Sequence, residues 1–197
     1  SSSKRLKETA SVIRSNFEQN LPLHFEKDKL NRKMISYKTE LGNIEETRHS
    51  KNLLMEQKRA TLEKLRKAGP FDEHAMPGNV VLQIDIGDGD SSYLPLPYQI
   101  QAVQTQLINL EEDIQADTEQ YKYYSDLLIL NEAISTQLNA ASQQNGTLKQ
   151  YHTLLSDMLT QYASESSPQR DHLAAYIKEV ENKIATTVPV TDRPIIF

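Results

Sequence analysis

The densest group of chemically capable side chains in this 197-residue chain is Asp85, Asp88 and Asp90, three carboxylates on a short stretch that also holds Gly87 and Gly89. Hard cations such as calcium take ligands of this kind. The spacing is not that of an EF-hand loop and no bidentate glutamate follows at the right distance, so a solvated turn is the expectation and no metal site. Gly87-Asp88-Gly89 lacks the third glycine of a dinucleotide loop, because Ser92 stands there, and no Gly-Lys-Ser/Thr occurs. The five histidines, His24, His49, His74, His152 and His172, are scattered and form no His-Glu-x-x-His. His74 lies beside Asp72 and Glu73 in a proline-flanked stretch and reads as a solvated loop residue. Gly-x-Ser-x-Gly is missing, so nothing sets a base next to a serine in sequence. With no cysteine there is no disulfide, no thiolate nucleophile and no Cys-ligated zinc. The expectation is a non-enzymatic chain with no catalytic residues, no cofactor and no small-molecule substrate.

Other clusters read as surfaces. Glu45-Glu46 and Glu111-Glu112-Asp113 fall where a charged coiled-coil flank is expected. Lys27, Lys29, Arg32, Lys33 and Lys38 form a basic stretch, but Glu26, Asp28 and Glu40 interrupt it and no nucleic-acid motif accompanies it, so a nucleic-acid partner is not expected. Tyr121, Tyr123 and Tyr124 would serve as a stacking platform, yet two of the three fall on an apolar seam, which favours packing. Asn145-Gly146-Thr147 matches a glycosylation sequon, a pattern short enough to arise by chance.

The elements that would position these residues follow from composition and periodicity. Apolar residues make up 38% of the chain and the mean hydropathy is −0.60, which leaves too little for a thick globular core. No window approaches the ~20 apolar residues of a spanning helix, and Ser1-Ser2-Ser3-Lys4-Arg5 lacks the apolar centre of a secretory signal. An opening in three serines without Met is what a piece of a longer reading frame would show. Residues 1–68 hold 16 Lys+Arg against 9 Asp+Glu, a net +7, which leaves 6 against 18, a net −12, for residues 69–197. Two antiparallel helices whose opposite charges meet along their flanks would account for this asymmetry.

Residues 1–68 read as a long basic helical segment, kinked or restarted at Pro22 because proline lacks an amide donor. Beyond Pro22 a seam advances by alternating four and three: Leu30, Met34, Tyr37, Leu41, Ile44, Arg48, Lys51, Met55, Lys58, Leu62, Leu65. Eight of these eleven are apolar, a coiled-coil signature. After a connection at 69–97 the pattern returns: Ile100, Val103, Leu107, Leu110, Ile114, Asp117, Tyr121, Tyr124, Leu128, Asn131, Ser135, Leu138. Asp117 and Asn131 stand where polar seam residues fix register. A local stutter that rotates the seam onto Leu127, Leu130 and Ile134 reads equally well.

Residues 69–97 hold four of the six glycines and four of the eight prolines. Within them Val80-Val81-Leu82-Gln83-Ile84-Asp85-Ile86 reads as a strand, with Tyr93-Leu94 pairing back across the turn. Residues 98–187 form an acidic segment of two to three helices, broken at Asn145-Gly146 and restarted at Ser167-Pro168. Leu148, Tyr151, Leu155, Met158 and Tyr162 mark one apolar face, and Leu173, Ile177, Val180 and Ile184 another. Pro189 and Pro194 force an extended tail over 188–197. The fold class expected is mainly α, a long antiparallel helical hairpin or coiled coil pairing 23–68 with 98–138, with a small β element near 79–96.

Tyr93-Leu94-Pro95-Leu96-Pro97-Tyr98-Gln99-Ile100-Gln101-Ala102, continuing through Leu110-Glu111-Glu112-Asp113-Ile114 to Tyr121-Lys122-Tyr123-Tyr124, resembles the periplasmic part of bacterial polysaccharide chain-length determinants, the Wzz-like polysaccharide co-polymerases. Val188-Pro189-Val190-Thr191-Asp192-Arg193-Pro194 is similar to the proline-marked approach to that family's second membrane helix. The resemblance covers about residues 51–197. It implies a non-catalytic, homo-oligomeric periplasmic region, tethered to the inner membrane by segments outside this chain, that regulates the length of a surface polysaccharide such as O-antigen, capsule or exopolysaccharide. Its partners would be other copies and possible contacts with the polysaccharide or its polymerase. The chain departs from the family in showing neither membrane helix and only one clear strand. The reading from another class is a cytoplasmic coiled-coil scaffold or hairpin arm of a larger ATPase-type assembly.

Overall fold

Glycine and proline are sparse outside 69–97, and long stretches of strong helix formers follow from that. In a computed structural model, which describes residues 2–67, 95–144, 146–161 and 167–186, those stretches form four helices. They are α1 (Ser2–Lys67), α2 (Leu96–Gln143), α3 (Leu148–Gln161) and α4 (Pro168–Thr186). The protein is therefore mainly α with long helices. No strand occurs among the described residues.

Three boundaries differ from the sequence reading. The β element near 79–96 falls on residues 79–94, outside the described residues, and its last position, Leu96, is already the first residue of α2. Pro97 is tolerated there because the opening amides of a helix have no carbonyl to reach, so a missing N–H costs nothing. The amides of Tyr98 and Gln99 both donate to the Pro95 carbonyl, at 2.9 and 3.2 Å. Second, α1 does not restart at Pro22 but carries it within one helix. The proline removes one backbone bond, at a cost of about 3 kcal/mol in a helix interior. Leu23, Glu26 and Leu30, directly after it, are buried, and their packing offsets that cost. Third, α2 runs past the pairing stretch 98–138 to Gln143, just before the break expected at Asn145-Gly146. The extended tail at 188–197 lies outside the described residues.

The chain divides into two compact units, each built partly from α1 and partly from α2. The described residues of the second unit, Gly42–Lys122, form a two-helix pair. As residue number rises through Glu45, Lys51 and Arg59 on α1, their partners on α2 fall through Tyr121, Asp117 and Glu111, so the helices run antiparallel. Its core is Leu62, Leu65, Val103 and Leu107, with Met55, Leu96 and Ile100 packed around them.

The first unit comprises Ser1–Leu41 and Tyr123–Phe197 and holds the larger core. Leu23 and Leu30 of α1, Leu130, Ile134, Leu138 and Ala141 of α2, Tyr151, Leu155 and Met158 of α3, and Leu173, Tyr176 and Val180 of α4 are all buried in it. The α2–α3 break is made by Gly146, whose N–H donates to the Ala141 carbonyl at 2.8 Å. A Cβ at that position would stand 2.6 Å from the same oxygen, so only glycine fits. Thr147 then caps α3: its hydroxyl accepts from the Gln150 amide while its own amide donates to the Gln150 side chain at 2.7 Å. At α4 the Ser167 hydroxyl accepts from the Arg170 amide, with Pro168 in the first helical position, as the sequence predicts.

Candidate functional site

All thirteen residues named from the sequence as the coiled-coil seam are withdrawn from solvent to some degree. Leu30, Ile44, Val103 and Leu107 are buried; Met34, Tyr37, Leu41, Ile100, Leu110, Ile114, Tyr121, Tyr124 and Leu128 are half-buried. In the second unit two polar seam positions meet: Lys51 Nζ donates to Asp117 Oδ2 at 2.7 Å, with side chains 24% and 16% exposed. One helical turn away, the Arg48 guanidinium lies 5.9 Å from the Tyr121 ring centroid, and the Tyr121 hydroxyl donates to Glu45 at 2.9 Å. That bond to a carboxylate, with the charge behind it, raises the Tyr121 pKa. Arg59 reaches Glu111 at 3.0 Å on the exposed flank. The acids expected on a charged flank, Glu45, Glu46, Glu111, Glu112 and Asp113, thus do lie exposed, and Glu111 faces Arg59 of α1.

In the first unit α2 turns a wider face inward. Leu127, Leu130 and Ile134 are buried, while Leu128 is only half-buried, because α2 here packs among several helices rather than against one. Asn131 is 1% exposed; its amide donates to the Leu127 carbonyl at 2.7 Å and its own oxygen is buried with no partner. Tyr37 and Tyr124 pack with ring centroids 5.9 Å apart, and Tyr123 meets Tyr124 edge-on at 5.5 Å. Burial raises the Tyr37 pKa, and the neighbouring Tyr123 and Tyr124 add to it. Of the three tyrosines, two therefore pack inward and only Tyr123 is exposed.

The feature that sequence reasoning missed is a polar stripe between α1 and α4. Glu26, Lys29 and Lys33 lie at i, i+3 and i+7 on α1; His172, Tyr176, Glu179 and Lys183 lie at i, i+4, i+7 and i+11 on α4. Each set therefore occupies one helix face. Glu26 is 2% exposed, and its carboxylate accepts from the Tyr176 hydroxyl at 2.8 Å and from the Lys183 ammonium. Lys183 also reaches Glu179 at 2.9 Å, and Lys29 donates to Glu179. The Tyr176 hydroxyl is 3.1 Å from that of Tyr151 on α3, and the Lys29 and Lys33 ammoniums each stand 5.7 Å from the Tyr176 ring centroid.

Electrostatics follow from that geometry. Burial is the main cause pushing the Tyr151 and Tyr176 hydroxyls well above their ordinary range. The Lys29 ammonium, helped by Lys183, holds the Glu179 carboxyl down to about 2. Burial opposes the charge on Lys183, but Glu26 and Glu179 more than compensate and raise its pKa. Lys33 is lowered by burial and then by Lys29. The spacing of the seven residues was visible in the sequence, but the basic stretch was divided differently: Lys29 and Lys33 turn toward α4, while Lys27, Arg32 and Lys38 stay exposed.

Asp85, Asp88, Asp90 and His74 lie outside the described residues, as does Asn145 of the sequon. Among the described residues no group of three or more His, Cys, Asp or Glu could hold a metal, and no helix is long and apolar enough to cross a membrane. A groove of about 330 Å³ in the first unit is lined by Leu21, Leu23, His24, Lys27, Leu138, Asn139 and Ser142. Its histidine, His24, stands 4.0 Å from the Asp28 carboxylate one turn along α1, and both side chains are exposed. No protein-family model, no curated protein and no solved structure matches this chain.

Proposed function

We propose that this chain is a non-catalytic packing and oligomerisation region, a helical hairpin of coiled-coil type whose work is done by shape and by association of copies. The observation that carries the reading is the polar pair Lys51–Asp117 formed across a mainly apolar seam. A half-buried ion pair in a helical seam adds little net stability but penalises every other register and partner, which is what a structural element of defined geometry requires. Apolar side chains left outside the seam, among them Phe25, Ile35, Ile108 and Ile129 at 55–65% exposure, give such an element further surface for neighbouring copies.

The specific setting proposed is the periplasmic part of an inner-membrane regulator of surface-polysaccharide chain length. The resemblance of 93–124 and 188–194 to Wzz-like co-polymerases supports it, together with the long α2 that opens directly behind Pro95. Sequencing the parent reading frame on both sides of Ser1 and Phe197 tests this setting. An apolar run of about 20 residues in each direction supports two flanking membrane anchors. Polar sequence or stop codons there overturn the chain-length setting and leave the cytoplasmic coiled-coil scaffold as the working function.

A further inference from the structure

Within the first unit, the groove of about 330 Å³ has Leu21, Leu23, His24 and Lys27 of α1 on one wall and Leu138, Asn139 and Ser142 of α2 on the other. Sites for small molecules run from about 300 to 1,000 Å³, so it has room for one ligand at the small end of that range. Its floor is apolar. Leu23 and Leu138 belong to the core of the unit, and Leu21, at 37% exposure, carries the same surface out to the rim.

The polar groups on the walls are free to bind. Charged residues along this stretch of α1 divide between two faces: Glu26 and Lys29 turn to α4, where Tyr176, Glu179 and Lys183 take them up, while Lys27 lines the groove. Among the described residues no carboxylate stands within ion-pair distance of Lys27, and the side chains of Asn139 and Ser142 make no hydrogen bond. Asp28 pairs at 4.0 Å with His24 and lies outside the lining, so no acid faces the groove. Lys27 and Ser142 are exposed and Asn139 is half-buried, so water satisfies them in the empty chain and a ligand has only to replace it.

We infer that this groove binds a small single-chain anionic amphiphile, a carboxylate or phosphate monoester on an alkyl tail. The anionic head meets the Lys27 ammonium, with Asn139 and Ser142 as further donors, and the tail covers Leu21, Leu23 and Leu138. Both parts are needed. A partly solvated ion pair alone adds little, and an uncharged tail leaves the cation without a counter-ion, so the apolar floor supplies affinity and Lys27 selects the head. The site is independent of the oligomerisation role proposed above.

Titration of the full chain with monomeric octanoate and octyl phosphate, followed by amide shifts in NMR, tests the site. Saturation near about 1 mM is expected for ligands of this size, with shifts centred on 21–27 and 138–142. Octanol and inorganic phosphate, each with half of the chemistry, bind more weakly. Lys27→Met, at an exposed position, weakens both anionic ligands by roughly three- to fivefold and leaves octanol unchanged. Leu21→Ser, at the rim, weakens all three alkyl ligands. The proposal is overturned by the lack of any saturable shift up to about 10 mM, or by octanol binding as tightly as octanoate. Lys27→Met binding the anions as the wild type does overturns it equally. Binding to phosphatidylglycerol vesicles but not to either monomeric anion also overturns it, because that outcome assigns a membrane surface in place of a groove for one alkyl chain.

Discussion

Reversing one charge in the seam of the second unit, Asp117→Lys, replaces the 2.7 Å Lys51–Asp117 contact with two ammoniums. The pair is only 24% and 16% exposed, so solvent screening is weak and the aliphatic stems are clamped by the seam. At an effective dielectric of about 20, two unit charges about 4 Å apart interact by roughly 4 kcal/mol. A bond between charged groups is worth about 1.5–3 kcal/mol net, and stranding a buried partner costs about 3–5 kcal/mol. With partial exposure taken into account, the variant loses about 2–4 kcal/mol. The swap Lys51→Asp with Asp117→Lys restores more than half of that, because the charges attract again in the same place. Urea unfolding followed by circular dichroism measures both, with hydrogen exchange in 42–67 assigning the loss to this unit. An apolar pair, Lys51→Met with Asp117→Leu, is expected to equal or exceed the wild type in stability while populating more than one oligomeric species in native mass spectrometry. The reasoning is refuted if Asp117→Lys lies within about 0.5 kcal/mol of the wild type, or if the swap recovers nothing.

Three further outcomes are expected. Glu26→Leu removes the buried carboxylate shared by the Lys183 ammonium and the Tyr176 hydroxyl, which keep Glu179 and the Tyr151 hydroxyl as partners, and costs about 1–3 kcal/mol in urea unfolding, more than Glu179→Gln, whose carboxylate is partly in solvent. Because the folded pKa of Glu179 is depressed to about 2, its contribution is present above its unfolded value near 4.5 and is lost as pH falls through that window; acid titration of Glu179→Gln should show a shallower loss between pH 4.5 and 2. Gly146→Ala forces a Cβ to within 2.6 Å of the Ala141 carbonyl, so the α2–α3 turn must shift, and a fall in melting temperature of several degrees is the expected reading.

The alternating four-and-three spacing from Leu30 to Leu65 and from Ile100 to Leu138 was enough to place two long helices and to say which face of each leaves solvent, since that periodicity is local and repeats many times. The breaks at Gly146 and at Ser167-Pro168 were legible for the same reason: a helix-ending glycine and a serine cap followed by proline are local properties of those residues. Proline was legible only in part, because the penalty at Pro22 is intrinsic whereas the burial of Leu23, Glu26 and Leu30 that outweighs it is not.

Tertiary structure decided the rest. Whether Leu128 or Leu127 turns inward depends on how many helices surround α2 at that level, and in the first unit α3 and α4 widen the buried face. The stripe Glu26–Lys29–Lys33 looks in sequence like any charged helix face, since spacing records which residues share a face but not whether that face meets water or another helix. Only the docking of α4 distinguishes the two, by bringing Tyr176 and Lys183 within hydrogen-bonding reach of a carboxylate that would otherwise stay in solvent.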